Sequence, residues 1–105
     1  MFENQIGDIP VIPLMSQMPA ASNDFDMGFG APARWGLGFL LHQKATASGR
    51  PAGTASWTGL FNSYFWIDRK NGICAIVATQ VLPFYDENAV KLLKSYEAAV
   101  YAEVQ

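Results

Sequence analysis

The chain has 105 residues and a formal net charge of −2, with half of its residues hydrophobic and only 15% charged. This length limits it to one domain with a modest core. The Lys and Arg residues are scattered, so no basic patch indicates a nucleic-acid partner. Because a small protein surface normally carries more charge, the composition predicts that part of the apolar surface is covered by something else.

Residues 1–33 predict an irregular apolar connection. Met1 to Asp8 resemble the last turn of a helix, with Gly7 as a left-handed cap, which is an abrupt start for a domain. Residues 9–33 contain four prolines, which break helices and remove donors from strand ladders. The same stretch is too rich in Met and Phe for a solvated linker, so we expect it to lie over another surface.

Two short patterns in this connection suggest cofactors but fail on position. Asp24–Gly28 resembles the start of a calcium loop, yet Phe29 stands where glycine is required and Trp35 where a glutamate is required. The glycines of 28–33 have the spacing of a dinucleotide loop, but no strand precedes them and Pro32 interrupts the helix start. We therefore predict no metal and no cofactor.

The first predicted strand runs from Arg34 to Leu41, with Gly36 and Gly38 marking bends. His42 follows it. Because it is the one histidine in the chain, without ligand-spaced partners, we expect a surface or edge position for it. Residues 43–51 are small and polar and predict an exposed loop.

The stretch 53–68 predicts two extended segments that meet at a glycine. The second segment and an apolar strand at 73–80 are predicted to form a hairpin, with Asn71-Gly72 as the turn signal. The unbroken apolar run of the second strand predicts that both of its faces are covered. Cys74 lies within it and has no second cysteine to pair with, which indicates a buried free thiol and favours the cytoplasm. No segment predicts a signal peptide or a membrane span.

A C-terminal helix is predicted over 86–103, with Asp86 as N-cap and a Glu87–Lys91 pair at four-residue spacing. Its predicted apolar face repeats at helical spacing and comprises Ala89, Leu92, Leu93, Tyr96, Ala99 and Val100. The predicted fold class is therefore α+β. An antiparallel sheet of about three to four strands within 34–82 carries the helix, and the chain forms a single partial domain over 1–105.

Trp57-Thr58-Gly59 is the stretch best suited to binding a ligand. Gly59 has no side chain, so a substrate can approach the strand edge closely. Thr58 offers a hydroxyl to a carboxylate or a water, and Trp57 offers a large apolar wall with one donor. The alternative is a purely structural role, in which Trp57 and Gly59 form only a strand and its bend and Thr58 faces solvent.

The wider pattern resembles a known family. Trp57-Thr58-Gly59, then Asn62-Ser63-Tyr64-Phe65-Trp66-Ile67-Asp68, Asn71-Gly72 and an apolar strand ending in Thr79-Gln80 resemble the C-terminal part of β-lactamase-like serine hydrolases. The likeness is greatest to family VIII carboxylesterases, relatives of class C β-lactamases and penicillin-binding proteins. It implies a partial β-lactamase/transpeptidase-like fold, with Trp57, Thr58 and Gly59 binding a small ester or amide. It also implies an oxyanion-hole donor from the backbone N–H of Leu60.

The catalytic motifs of that family are missing from the chain. Its nucleophile is a serine followed three residues later by lysine, which accepts the serine's proton from the same helix face. Here, the residues three positions after each serine are Pro19, Phe25, Pro51, Gly59, Trp66 and Ala98. The family's tyrosine motif, Y-x-N, is also missing. We therefore expect a fragment that carries one wall of an active site, with no catalytic residue of its own.

Three functions remain open at this point. The chain is a C-terminal fragment of a carboxylesterase or β-lactamase-type hydrolase that is inactive alone, or an independent module that binds a carboxylate or acyl ligand. The third possibility is a structural module that associates with itself through strand edges or by domain swapping. We favour the first for its origin and expect homo-oligomers through exposed apolar surface or strand edges as its physical consequence.

Overall fold

The computed structural model describes residues 1–104 and has the predicted α+β architecture, a sheet with one C-terminal helix. The elements are β1 Ala33–Trp35, β2 Leu40–His42, β3 Ala55–Gly59, β4 Ser63–Asp68, β5 Ile73–Val77 and α1 Glu87–Val104. The sheet has five strands in the order β1-β2-β3-β4-β5, each antiparallel to its neighbour. The sheet is therefore one strand wider than the upper limit predicted.

The additional strand arises because the segment predicted as one strand is a hairpin. β1 and β2 pair through Ala33 with His42 and Trp35 with Leu40, so the chain reverses between Trp35 and Leu40. The Gly36 N–H donates to the Phe39 carbonyl at 2.9 Å across this turn. A Cβ at Gly36 would lie 2.0 Å from the Met1 carbonyl oxygen, so the glycine admits the N-terminal chain against the turn.

The central hairpin of β3 and β4 closes through the pair Gly59 and Ser63, with three residues between them. The last of these, Asn62, has φ of 60°, a left-handed conformation that asparagine tolerates and that three-residue hairpin loops use. Its side-chain amide donates to the carbonyls of Val81 and Pro83, both at 2.8 Å. Asn62 thereby ties the hairpin loop to the segment that leads into α1.

The hairpin of β4 and β5 is confirmed, with its turn at Asn71-Gly72. Gly72 has φ of 70°, and the Asp68 carboxylate accepts hydrogen bonds from the Asn71 main chain and side chain. The prediction that both faces of β5 are covered is wrong. Cys74 is exposed and Ile76 is 65% exposed, because both lie on the face of β5 opposite Ala75, the one residue of the strand that is buried.

Helix α1 begins at Glu87, and the Asp86 carboxylate caps it by accepting the Ala89 N–H at 3.0 Å. Lys91 and Glu87 form the predicted exposed ion pair at 2.8 Å. The buried residues of the helix are Ala89, Val90, Leu93, Glu97 and Tyr101. The predicted apolar face was therefore wrong at Leu92, Tyr96 and Ala99, which are all exposed, since the helix turns Glu97 rather than these residues towards the sheet.

The N-terminal connection is irregular, as predicted, but residues 1–8 contain no helix. Gly7 has the left-handed φ of 57° expected of a cap. The Asn4 side chain accepts the Ile6 N–H and donates to the Gly7 carbonyl, and this local pairing replaces helical hydrogen bonds. Further along, isolated bridges join Leu14 with Phe25 and Ser22 with Phe84, and large apolar side chains remain exposed at Ile9, Ile12, Leu14, Met15 and Met18.

Candidate functional site

The edge of β3 is open along the stretch that sequence analysis singled out. β3 pairs with β4 along all five of its residues but with β2 only at Ala55 and Ser56. The Thr54 carbonyl accepts the His42 N–H at 3.0 Å, on the β2 side. Alternate residues of a strand point their main-chain groups to the same edge, so those of Thr58 point to the side where β2 has ended.

An apolar cavity of about 280 Å³ adjoins this edge. Its lining comprises Ser22, Phe25, Trp57, Thr58, Gly59, Leu60 and Phe84. The rings of Phe25 and Phe84 meet edge-to-face at 4.9 Å, and Trp35 packs against Trp57 in the same way at 4.7 Å. Trp57, Thr58, Gly59 and Leu60, the residues of the predicted site, lie together on one wall of the cavity.

Sequence analysis missed Ser22, Phe25 and Phe84, which form the opposite side of the cavity. Ser22 and Phe84 are joined by a parallel bridge, and the Phe84 N–H donates to the Ala21 carbonyl at 2.8 Å. These residues come from the proline-rich connection and from the segment before α1. No local periodicity signals their pairing, because it joins irregular segments far apart in sequence.

Gly59 and Thr58 differ in what the fold requires of them. A Cβ at Gly59 would meet only Ser63 atoms at 3.9 and 4.0 Å, which are ordinary contacts, so packing does not require glycine there. The glycine instead leaves open space beside the edge. The Thr58 hydroxyl donates to the Ser63 carbonyl at 2.9 Å, so it remains free to accept a hydrogen bond from a ligand but is already used as a donor.

Leu60 immediately follows Gly59 and opens the loop between β3 and β4. Its side chain is 51% exposed and lies on the lining of the cavity. A backbone N–H at the end of an open strand edge suits a ligand oxygen, because no ladder partner occupies that side. The structure thus brings Leu60 beside Gly59, where the absence of a side chain leaves space next to the strand edge.

A second group of polar side chains lies between the sheet and α1, buried except for the partly buried Thr46, and we call it the buried cluster. Its members are His42, Thr46, Arg50, Ser56, Trp66, Asp68, Glu97 and Tyr101. Arg50 and Glu97 form an ion pair with their side chains 2% and 0% exposed. The predicted surface or edge position of His42 is wrong, because His42 is buried. The predicted exposure of the loop over 43–51 is wrong at Arg50, which is buried because it pairs with Glu97 and contacts His42.

Arg50 also determines the state of His42. The Arg50 Nη1 lies 3.1 Å from His42 Nε2, and because arginine can only donate, this nitrogen accepts and the ring proton resides on Nδ1. Burial, with the Arg50 charge beside it, lowers the pKa of His42 to about 4. His42 is consequently a neutral acceptor that faces the core rather than the cavity.

The remaining members of the cluster form a hydrogen-bond chain. The Trp66 indole donates to the Tyr101 hydroxyl at 3.1 Å, and that hydroxyl donates to Asp68 at 3.0 Å. Burial and the Asp68 carboxylate raise the pKa of Tyr101 to about 12. Burial alone would raise the pKa of Asp68, but hydrogen bonds from Asn71 and Tyr101 outweigh it and lower that pKa. The Arg50–Glu97 ion pair and the Tyr101–Asp68 hydrogen bond each join α1 to the rest of the fold, so the cluster holds the helix on the sheet.

Two further features bear on the kind of site. Within residues 1–104, no three His, Cys, Asp or Glu side chains come close enough together to hold a metal ion. Within the same range, no helix combines the length and the hydropathy needed to cross a bilayer. The candidate site thus consists of the β3 edge, the residue after it and the apolar cavity.

Comparison with known proteins places this arrangement in a family. Two similar solved structures are simvastatin synthase (LovD) mutants from Aspergillus terreus, LovD6 and LovD9. LovD6 is 26% identical with a TM-score of 0.68, over 75% of this chain and 22% of that one. LovD9 is 28% identical with a TM-score of 0.66, over 70% of this chain and 19% of that one.

The chain therefore spans about a fifth of the length of these neighbours. No curated protein matches it significantly. The model of the family described as Beta-lactamase matches residues 4–98, which is most of the chain. Together with the open β3 edge and the antiparallel sheet under one C-terminal helix, this match establishes that the chain belongs to the beta-lactamase family.

Proposed function

We propose that the chain is the C-terminal part of a serine hydrolase of the carboxylesterase or β-lactamase type and supplies one wall of its acyl-transfer site. Trp57, Thr58 and Gly59 bind a small ester or amide substrate along the β3 edge. The Leu60 N–H donates to the oxyanion that develops when an acyl-enzyme forms. The nucleophilic serine and its lysine belong to residues outside this chain, so the chain alone is inactive.

The observation that carries this proposal is that three features lie side by side: the open edge of β3, an apolar cavity, and a glycine, Gly59, that the packing of the fold does not require. β3 loses its β2 partner after Ser56, where the cavity lining begins. Gly59 leaves room there although the fold would accommodate a side chain. Both features favour a ligand that lies along the strand and inserts an apolar group into the cavity.

The composition of the cavity supports an uncharged, apolar acyl group. Phe25, Trp57, Leu60 and Phe84 supply most of its lining, and the hydroxyls of Ser22 and Thr58 are its polar side chains. The buried charged residues lie elsewhere, where Arg50 pairs with Glu97 and Asp68 accepts hydrogen bonds from Tyr101 and Asn71. The free thiol of Cys74 is exposed, and we propose a reducing compartment, the cytoplasm, as its setting.

The first test is intact-mass analysis after incubation with a fluorophosphonate, which forms a stable adduct only with an activated serine. We expect the mass of the chain to remain unchanged, because no serine has a base beside it in the family's arrangement. A stoichiometric adduct would contradict the proposal that the chain is inactive. Mapping that adduct would then identify the nucleophile.

The second test examines binding, with hexanoate as a probe whose carboxylate mimics an oxyanion and whose chain fits an apolar cavity. We expect saturable amide shifts in ¹H–¹⁵N spectra at Thr58, Gly59 and Leu60. The Gly59→Val variant should lose these shifts while keeping its fold. An Ala45→Val variant, which adds bulk in an exposed loop, should retain them. Shifts elsewhere, or equal shifts in Gly59→Val, would overturn the assignment of the site.

A further inference from the structure

Asn62, in the loop between β3 and β4, is completely buried and uses every hydrogen-bonding position of its side chain. Its amide nitrogen donates to the carbonyls of Val81 and Pro83, both at 2.8 Å. Its amide oxygen accepts from the Tyr64 hydroxyl at 2.7 Å and from the Asp86 N–H at 3.1 Å. An asparagine side chain has two donors and one oxygen with two lone pairs, so none remains unused. All four partners are residues of this chain.

Two of these hydrogen bonds flank Phe84, which lies on the side of the cavity opposite Leu60. One accepting carbonyl comes directly before Phe84 in the chain, and the donating N–H comes two residues after it. Within residues 1–104, the hydrogen bonds from the β3–β4 loop to residues 83–86 all use the Asn62 side chain. This one side chain therefore joins the two walls of the cavity.

The backbone has a left-handed conformation on both sides of the cavity. Asn62 has φ of 60°, and Tyr85, directly after Phe84, also has φ of 60°. Asparagine tolerates this region, but it is uncommon for a large aromatic residue. Such a residue keeps this conformation only where its surroundings over-determine it. Asn62 supplies part of that restraint, because it binds the N–H of Asp86, the residue after Tyr85.

We propose that Asn62 is a positioning residue of the acyl-transfer site and holds the Leu60 N–H at a fixed place relative to the Phe84 wall. This inference rests on the proposed function, from which it takes the oxyanion donor and the cavity. Asn62 does not touch the substrate itself, since it is completely buried and is not part of the cavity lining. It acts through the loop, because an oxyanion donor is effective only at hydrogen-bond distance from the developing charge.

Other contacts hold the same loop, and they determine what survives without the Asn62 side chain. The Thr79 hydroxyl lies 2.6 Å from the Phe61 carbonyl oxygen and 3.0 Å from that of Asn62. The Val81 N–H donates to the Phe61 carbonyl at 3.2 Å. These contacts use main-chain atoms of the loop and reach no further than Val81. A variant without the side chain should therefore keep the hairpin but lose its connection to the Phe84 wall.

The test compares two substitutions at position 62 with a matched one in another turn. Asn62→Gly removes the side chain and tolerates φ of 60°. Asn62→Asp keeps the accepting oxygen but, when ionised, has no donor for the two carbonyls. Asn71→Gly is the control, because it removes an asparagine side chain that donates to Asp68 in a turn outside the cavity lining. Far-ultraviolet circular dichroism verifies that each variant is folded, and either variant at position 62 suffices for the comparison.

The first readout is the order of the Leu60 amide in ¹⁵N relaxation, which needs no ligand. In both variants at position 62, we expect its order parameter to fall from about 0.85, typical of rigid backbone, to below about 0.6. The Thr58 amide should stay rigid, because β3 remains paired with β4. Asn71→Gly should leave both amides unchanged. A rigid Leu60 in Asn62→Gly would overturn the proposal, even if that variant is less stable.

The second readout is the affinity for hexanoate, measured from the amide shifts of β3. We expect binding to be about tenfold weaker in both variants at position 62, because a mobile donor has to be ordered when the ligand binds. Asn71→Gly should bind like the wild-type chain. Unchanged affinity together with a mobile Leu60 would refute the positioning role. Failure of the wild-type chain to bind hexanoate would instead overturn the proposed function, and the order of Leu60 would still decide whether Asn62 fixes that residue.

Discussion

The β3 edge and the buried cluster lie on neighbouring parts of the same sheet, yet they differ in whether their polar groups have hydrogen-bond partners within the chain. At the edge, main-chain groups past Ser56 have lost their β2 partner and face a cavity lined mainly by apolar side chains. In the cluster, Arg50, Glu97 and Asp68 are buried, and each is bonded to another member. In this chain the buried charged residues maintain the fold, whereas the unpaired part of the β3 edge lies beside apolar side chains.

This division has a physical basis. A buried charge is tolerated only when it is paired and hydrogen-bonded, and such a group has little freedom left for chemistry. An unpaired strand edge is tolerated because water can replace the missing partner, and a ligand can replace the water. We therefore expect substitutions in the cluster to change stability and substitutions at the edge to change binding. Four predictions test this contrast, from the largest expected effect to the smallest.

The largest effect is expected from Glu97→Ala, which leaves the Arg50 guanidinium buried without its counter-charge. We expect a loss of about 3–5 kcal/mol in the free energy of unfolding, measured by urea denaturation with tryptophan fluorescence. The double variant Arg50→Met with Glu97→Leu should recover most of that loss, because no unpaired charge remains. Glu87→Ala, which breaks the exposed pair with Lys91, should leave stability unchanged. Equal losses of unfolding free energy in Glu97→Ala and Glu87→Ala would show that the buried ion pair matters no more to stability than the exposed one.

The second effect depends on pH. The folded chain holds the pKa of His42 at about 4, below the ordinary histidine value of about 6.5. Between these values the unfolded chain binds the proton and the folded chain does not, so stability falls as the pH is lowered from about 6.5 to about 4. We expect a contribution of up to about 3 kcal/mol. The contribution is fully present above pH 6.5.

The measurement for His42 is direct, because the chain contains one histidine. NMR titration of its imidazole should show a neutral ring down to about pH 4. The His42→Gln variant should show a weaker pH dependence of unfolding over the same range. Because the wild-type chain and the variant contain the same carboxylates, the difference between their pH dependences reports on His42 alone. An imidazole that titrates near 6.5 would place His42 outside the buried cluster.

A smaller effect is expected from Tyr101→Phe. The change removes the hydroxyl that accepts from Trp66 and donates to Asp68, and it leaves both groups buried without that partner. We expect a loss of about 1–3 kcal/mol in the free energy of unfolding. Tyr96→Phe is the control, because Tyr96 is partly exposed at 39% and should change stability by less than about 0.5 kcal/mol. Similar losses in both would mean that the hydroxyl is not a cluster member.

The smallest effect on stability is expected at the edge itself. Gly59→Ala places a Cβ in ordinary contact with Ser63, so the free energy of unfolding should change by less than about 0.5 kcal/mol. Gly28→Ala is the contrasting control, since its Cβ would lie 2.7 Å from the Ala31 carbonyl oxygen. That variant should unfold at clearly lower urea concentrations. Marked destabilisation by Gly59→Ala would show that the glycine serves the fold.

Much of the framework was predictable from local sequence. The turn at Asn71-Gly72, the Asp86 cap and the α+β class all follow from residues close together in the chain. The family also emerged from one contiguous stretch around Trp57-Thr58-Gly59. These features depend on propensity and short-range hydrogen bonds, which the sequence encodes directly.

Contacts between distant segments were not predictable in this way. A glutamate on a helix normally predicts solvent exposure, and nothing near Glu97 in sequence shows that Arg50 reaches it from 47 residues away. The same holds for Phe25 and Phe84, whose rings complete the cavity wall from two irregular segments. Burial of polar groups depends on a partner brought close by the fold.

The sequence by itself determined the class of the fold, the hairpin at Asn71-Gly72 and the membership of the beta-lactamase family. Only the tertiary structure decided which side chains are buried, that β2 ends beside Ser56, and that the β3 edge is open past that residue. The reason is that local pattern specifies how each segment folds. Whether an edge or a charge is covered depends on what the rest of the chain places against it.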